Sequence, residues 1–186
     1  RGFQEIGLLS GISHTDWSWS PLIADLDNDG NKDIFITNGY VKDVTDVDFR
    51  DYIVNESRNS NAPFNPEVIV SSLKDLNGEK VPNYAYRNLG AFEFKNVAAE
   101  WGLGSPSFST GSAYADLDND GDLDLVVNNL NHQSFVYKNQ SVERDSTNYL
   151  QVELSVNGNK LLAMGTQAKL YIKGMLMLSE FSPFRG

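Results

Sequence analysis

The chain has 186 residues, 25 acidic against 15 basic side chains, a formal charge of −10 and an isoelectric point near 4.5. That is enough chain for one core of ordinary size, but the acidity and the lack of any Lys/Arg cluster argue against a nucleic-acid partner, which needs a basic patch. The absence of cysteine excludes disulfides, thiolate zinc sites and cysteine nucleophiles, and no apolar run approaches the roughly 18 residues of a membrane span.

Read from its start, the chain opens on Arg1 and reads as a segment of a longer polypeptide. Phe3 to Ile6 predicts a short strand, a Gly11-Ile12 turn follows, and a second strand carrying Trp17 and Trp19 on one face leads into Asp25-Leu26-Asp27-Asn28-Asp29-Gly30-Asn31-Lys32-Asp33. The two tryptophans are expected to pack between sheets; the alternative is that they stack on sugar rings. Ile34 to Thr37 predicts the next strand. About 40 residues, from Asp43 to Pro82, then predict a helical insertion. In its second half Asn65 is the expected N-cap and Pro66 the first helical residue. Ile69, Val70, Leu73 and Leu76 form an apolar stripe, and Asn77-Gly78 is the stop. The insertion is expected to cover a sheet edge or face. A tyrosine-containing strand ends in Tyr86-Arg87-Asn88.

The pattern then starts again. With an offset of 91 residues Phe3 falls on Phe94, Ile6 on Val97, Gly11 on Gly102, Ile12 on Leu103, Ala24 on Ala115 and Asn38 on Asn129. The acidic stretch returns as Asp116-Leu117-Asp118-Asn119-Asp120-Gly121-Asp122-Leu123-Asp124, followed by Leu125 to Val127 and a strand ending in Tyr137-Lys138-Asn139. A whole structural unit is repeated. Each unit predicts four short strands, the content of one propeller blade. Ser141 to Thr147 reads as a polar linker. Beyond it Leu150 to Val156 alternates as a strand, Asn157-Gly158 signals a hairpin, and Ala168 to Ile172 and Met175 to Leu178 flank a Lys173-Gly174 turn. The expected fold is therefore mostly β: two four-stranded propeller-type blades over 1–140, a helical insertion in the first repeat, and a small C-terminal β element over 148–186.

The acidic stretches predict metal. Nine of the 25 carboxylates lie in them, and such crowding is relieved by a hard dication with six to eight oxygen ligands. Side chains at positions 1, 3 and 5 converge, glycine at 6 permits the turn, position 7 offers a backbone carbonyl and Asp at 9 closes the shell. The expected ligands are Asp25, Asp27, Asp29, Asn31 and Asp33 in one loop and Asp116, Asp118, Asp120, Asp122 and Asp124 in the other. All-oxygen ligation without His or Cys favours Ca²⁺, one ion per loop, which would bring the charge to about −6. An EF-hand needs Glu at position 12 and a following helix; Ile36 and Val127 stand there, in predicted strands. At affinities of about 10⁻⁵ to 10⁻³ M and millimolar calcium, each ion would stabilise the fold by roughly 0.4 to 2.7 kcal/mol.

With these residues in view, the repeats resemble the FG-GAP/VCBS repeats of integrin-α-type β-propellers, and Tyr86-Arg87-Asn88-Leu89-Gly90 is similar to their closing motif. The stretch from Asn148-Tyr149-Leu150 through Gly165-Thr166-Gln167-Ala168-Lys169-Leu170 to Gly186 resembles the start of an ASPIC/UnbV domain. The resemblance implies a secreted or cell-surface protein, commonly bacterial, in which such blades form part of a larger propeller.

Nothing in the sequence specifies catalysis. His14 and His132 lack a recognisable partner motif, Glu100, Glu143 and Glu153 have no spacing that pairs them, and phosphate loops and nucleophile elbows are absent. The leading expectation is a non-enzymatic, calcium-stabilised adhesion or ligand-binding scaffold for glycans or proteins, able to self-associate through exposed strand edges. Two readings stand beside it: a fragment or accessory module of a carbohydrate-active enzyme with its catalytic residues elsewhere, and a purely architectural repeat.

Overall fold

A computed structural model describes residues 2–59, 66–145, 148–159, 163–172 and 174–182. Three open antiparallel sheets carry the chain. The first is a four-stranded meander in the order β1 (Ser18–Ala24), β2 (Asp33–Asn38), β3 (Tyr84–Gly90) and β4 (Glu93–Asn96). The second has three strands, β5 (Ser109–Ala115), β6 (Asp124–Asn129) and β7 (Phe135–Tyr137). β2 leads to β3 through the insertion, which is helical as expected: α1 (Val47–Asn59) and α2 (Pro66–Asp75). Pro66 opens α2, where its fixed φ and missing N–H cost nothing; the expected cap Asn65 lies outside the described residues. Ile69, Leu73 and Leu76 are partly covered, while Val70 is exposed.

The two sheets repeat each other in register. Leu22 pairs with Phe35 and Ile23 with Ile34; 91 positions on, Ala113 pairs with Val126 and Tyr114 with Leu125. Both hairpins carry a register shift near their start, between Ser18 and Pro21 and between Ser109 and Gly111. The innermost strands β1 and β5 lie alongside each other, where the Ser112 amide and hydroxyl both meet Ser20 Oγ, at 3.3 and 3.1 Å. One apolar cluster fills the space shared by the sheets, with Phe35, Ala85 and Val127 fully buried and Leu22, Leu26, Leu103 and Leu125 nearly so. Strand alternation produces it: β2 buries Asp33, Phe35 and Thr37 fully while Ile34 and Ile36, on its other face, are only partly covered.

The strand boundaries of the repeat differ from expectation. Phe3 to Ile6 is not a strand, and Phe3 is fully exposed. Its counterpart near Phe94 is β4, but β4 pairs with β3 across a tight turn and so completes the first sheet instead of opening the second. A strand exists only with a partner strand for its backbone groups; β4 has Arg87 and Asn88 opposite it, whereas residues 3–6 have no strand opposite them among the described residues and Ile6 turns its carbonyl to the Ser10 amide at 2.8 Å. For the same reason the second sheet has three strands, not four. Ser141 to Asp145, expected as linker, is the short helix α3 (Ser141–Asp145). Leu150 to Val156 is not a strand either: Leu150 and Val152 are exposed, and only the bridge between Val156 and Asn159 forms. The hairpin beyond is as expected, β8 (Gln167–Ile172) pairing with β9 (Met175–Glu180) through Ile172 and Met175.

Candidate metal centres

Each acidic loop joins two strands of one sheet, 24 to 33 between β1 and β2 and 115 to 124 between β5 and β6, and the two are built alike. In both, the Asp at position 1 bends back onto the loop: Asp25 accepts from the amides of Asp29 and Gly30 at 3.1 and 3.0 Å, and Asp116 from Asp120 and Gly121, both at 3.2 Å. Such a fold-back needs two residues with positive φ. Asn28 and Asn119 (φ 56° and 63°) supply the first, and Gly30 and Gly121 (94° and 96°) the second. A side chain at Gly121 would also run into the Tyr149 ring.

Position 9 has a different task from the others. Asp33, fully buried, accepts from the amides of Leu26 and Asn88, both at 2.9 Å; Asp124 accepts from Leu117 and Asn139 at 2.9 and 2.8 Å. Each thus clamps the start of its loop to the third strand of its sheet. The amides of Asn88 and Asn139 return the contact to the backbone oxygens of Lys32 and Leu123, at 3.0 and 3.2 Å.

The structure brings together carboxylate oxygens of Asp25, Asp27 and Asp29 within 4.8 Å of one another, and likewise those of Asp116, Asp118 and Asp124. Asp33 stands outside the first group. Asn31 is exposed, and the contact recorded for it is its amide donating to Asp29 at 2.8 Å. Asp120 and Asp122 gather with Glu143 of α3 in a neighbouring group. Two oxygens in it, Asp120 Oδ2 and Asp122 Oδ1, are buried without a hydrogen-bond partner among the described residues. A convergent, all-oxygen, under-satisfied donor set suits a hard divalent cation. Asp25, Asp27 and Asp29 in the first loop, and Asp116, Asp118 and Asp124 in the second, are the groups that would hold it, with Asp120, Asp122 and Glu143 as a neighbouring set.

Burial and crowding oppose ionisation here. Desolvation first, then Asp29 and Asp27, push the Asp25 carboxyl up; desolvation and Asp29 do the same to Asp27. Burial raises Asp33 to about 6 against the pull of the Asn88 and Leu26 amides. Asp122 is also raised to about 6 by burial, with the Val142 amide opposing and Asp120 adding to the rise. Asp120 itself is held low, first by the Asp122 amide.

Three partners of the loops were not among the expected site residues. Arg87 reaches the first loop, its Nε 2.6 Å from Asp27 Oδ2 and its Nη2 3.3 Å from Asp29 Oδ2. Lys138 reaches the second, 2.5 Å from Asp118, 3.5 Å from Asp120 and 3.3 Å from Glu143. Both bases follow the closing tyrosine of their repeat, so each cation meets positions 3 and 5 of its own loop. The repeated Tyr-Arg/Lys-Asn triplet was the available signal. Glu143 carried none, because its approach depends on α3, which forms where the Val142 amide donates to Asp122 Oδ2 at 3.2 Å.

Other candidates stay apart from the loops. Trp17 and Trp19 do not pack between the sheets: they are 39% and 50% exposed, lie 6.3 Å apart, and Trp17 sits 4.8 Å from the Tyr40 ring. The register shift at Ser18 turns this end of β1 away from the core, and Trp19 Nε1 donates to the Gly39 carbonyl at 2.7 Å. Among the described residues the polar bonds of His14 and His132 go to their neighbours Ser13 and Gln133, and Glu100 pairs with Lys95 at 2.7 Å.

Residues 65–127 match the family model of the FG-GAP-like repeat. The match covers α2, the outer half of the first sheet, β5 and the second acidic loop, and it ends within β6. The chain therefore contains an FG-GAP-like repeat within a β-rich fold. No curated protein sequence matches the chain. No helix among the described residues is long and apolar enough to cross a membrane.

Proposed function

We propose that this chain is a calcium-stabilised, non-enzymatic scaffold for adhesion or ligand binding, working outside the cell or on its surface. The observation that carries this reading is the repetition of one loop geometry at two places 91 residues apart, each with three carboxylates converging within 4.8 Å. FG-GAP repeats generally serve extracellular ligand binding or adhesion, and the FG-GAP-like repeat at 65–127 supports the same role here. In this reading the sheets are propeller-type blades, residues 148–186 belong to an ASPIC/UnbV-like element, and each Ca²⁺ pins the turn between two inner strands. The exposed Trp17 and Trp19, with the half-buried Tyr40 beside Trp17, suit a glycan or protein ligand, since aromatic rings offer a large apolar face with a polar tip. The open edges at β4 and β7 are the places for self-association.

Thermal unfolding in EGTA and then in Ca²⁺ or Mg²⁺ tests the reading. Calcium is expected to raise the midpoint selectively, by the equivalent of about 0.4 to 2.7 kcal/mol per ion, with each of Asp29→Ala and Asp120→Ala losing part of the rise. An unchanged midpoint at millimolar calcium would overturn the metal assignment.

A further inference from the structure

Between the two sheets lies a cleft of about 630 Å³, within the size range of small-molecule sites. Leu26, Trp101, Leu103 and Leu125 give it an apolar floor. Its polar wall brings Arg87, Lys138 and Arg144 beside Asp27 and Asp29, so three cations face two carboxylates. The Tyr137 hydroxyl is buried there with no hydrogen-bond partner among the described residues, an orphan donor of the kind that a ligand satisfies.

The cations are not equally available. Arg144 makes no ion pair among the described residues. Arg87 and Lys138 are tethered to positions 3 and 5 of the two acidic loops. The tether of Arg87 is imperfect: its Nε is close to Asp27 yet has no acceptor in line with the N–H, and it is buried. A divalent cation and these side chains compete for the same carboxylates, and the dication carries the larger charge to them.

We propose that the cleft binds an anion borne on an apolar ring-shaped body, and that divalent-cation occupancy of the acidic loops strengthens this binding by releasing Arg87 and Lys138 to it. The second half rests on the calcium reading above; the first does not. The ring lies against Trp101 and Leu103, the anion meets Arg144 and the freed bases, and the Tyr137 hydroxyl donates to it. Metal and anion are then coupled through shared side chains, and each must tighten the other's binding by the same factor.

The test titrates the protein with 8-anilinonaphthalene-1-sulfonate, whose sulfonate binds calcium poorly, and with N-phenyl-1-naphthylamine, the same ring body without charge. Calorimetry with Ca²⁺ alone runs beside them. One saturable sulfonate site is expected, tightened about tenfold by calcium, with the neutral probe unaffected. Arg144→Met should weaken the sulfonate with or without calcium, Val136→Trp should block it by filling the mouth, and Arg87→Met with Lys138→Met should abolish the calcium gain. Asp27→Asn with Asp118→Asn should raise sulfonate affinity without any metal, which tests the release independently of calcium. Calcium binding with no change in sulfonate affinity would overturn the coupling and leave the calcium reading standing. Absence of calcium binding would overturn both the calcium reading and the gating. Equal binding of both probes, or sulfonate binding unmoved by Arg144→Met and Val136→Trp, would overturn the anion site.

Discussion

The two acidic loops share backbone, turn residues and position-9 clamp, yet differ in what surrounds position 7. In the first loop it is Asn31, neutral and exposed; in the second it is Asp122, charged and fully buried, with α3 folded over it and Glu143 alongside. At position 7 the same loop thus presents a residue open to solvent in one sheet and a desolvated, crowded one in the other. The lesson is that the repeat encodes the turn, while the surroundings set how badly the turn needs a cation. The position-9 contacts to backbone amides are where the two loops ought to behave alike in the absence of metal, and position 7 is where they ought to part.

Removing a clamp is expected to have the largest effect. Asp33→Ala would leave the amides of Leu26 and Asn88 unpaired, and Asp124→Ala those of Leu117 and Asn139. An unsatisfied buried donor costs about 1–3 kcal/mol, so each variant should lose about 2–5 kcal/mol, equally in both sheets and already in EGTA. Urea unfolding in EGTA measures it. A variant that keeps its metal-free midpoint and loses only the calcium shift would show that position 9 is a ligand and not a clamp.

A smaller effect separates the loops by pH. Asp33 and Asp122 each titrate near 6 in the folded chain, against 3.8 as the ordinary value. Between those values the folded protein holds protons that the unfolded chain has released, so the share of metal-free stability that these two groups supply is fully present below about 4 and is lost as pH rises through 6. Each group contributes at most about 1.4 kcal/mol per pH unit. Asp122→Asn should remove the second loop's share and leave that of Asp33. Calcium should oppose the slope, because the ion takes the deprotonated carboxylates of Asp25, Asp27, Asp29, Asp116, Asp118 and Asp124. Melting curves from pH 4 to 7, with EGTA and with calcium, decide this; a metal-free midpoint that climbs across that window would contradict the assigned shifts.

Much of this was legible in the residues. The apolar runs after the two acidic stretches located β2 and β6, the closing tyrosine motifs located β3 and β7, Pro66 and Asn77-Gly78 bracketed the second helix, and the nine-residue match located both loops. What stayed hidden depended on partners. Nothing local distinguishes residues 3–6 from β4; only the two-residue turn at Ala91-Phe92, which folds β4 onto β3, does. Leu150 to Val156 alternates as well as any strand, and among the described residues no strand lies opposite it beyond the bridge of Val156 to Asn159. Within the site, sequence treated the nine-residue stretch as one shell. The chain in fact divides it: position 9 takes two backbone amides in both loops, yet Asp124 also converges with Asp116 and Asp118 while Asp33 stands apart from Asp25, Asp27 and Asp29, and positions 3 and 5 face Arg87 of β3 or Lys138 just beyond β7.

The finest comparison exchanges position 7. Asn31→Asp adds a carboxylate where water screens it, and Asp122→Asn removes one where water is excluded, so the second exchange should be the larger although both move one charge at the same loop position. Asp122→Asn is expected to raise metal-free stability by roughly 1 kcal/mol, through relief of the Asp120 contact and of burial, and to weaken calcium at the second loop about fivefold. Asn31→Asp should tighten calcium at the first loop by a smaller factor and hardly move the metal-free midpoint. Calorimetric titration of both variants and of the double exchange gives the two affinities. If the two substitutions shift calcium binding equally and in opposite directions, loop sequence alone governs the sites; unequal shifts assign the difference to α3 and the burial it imposes on Asp122.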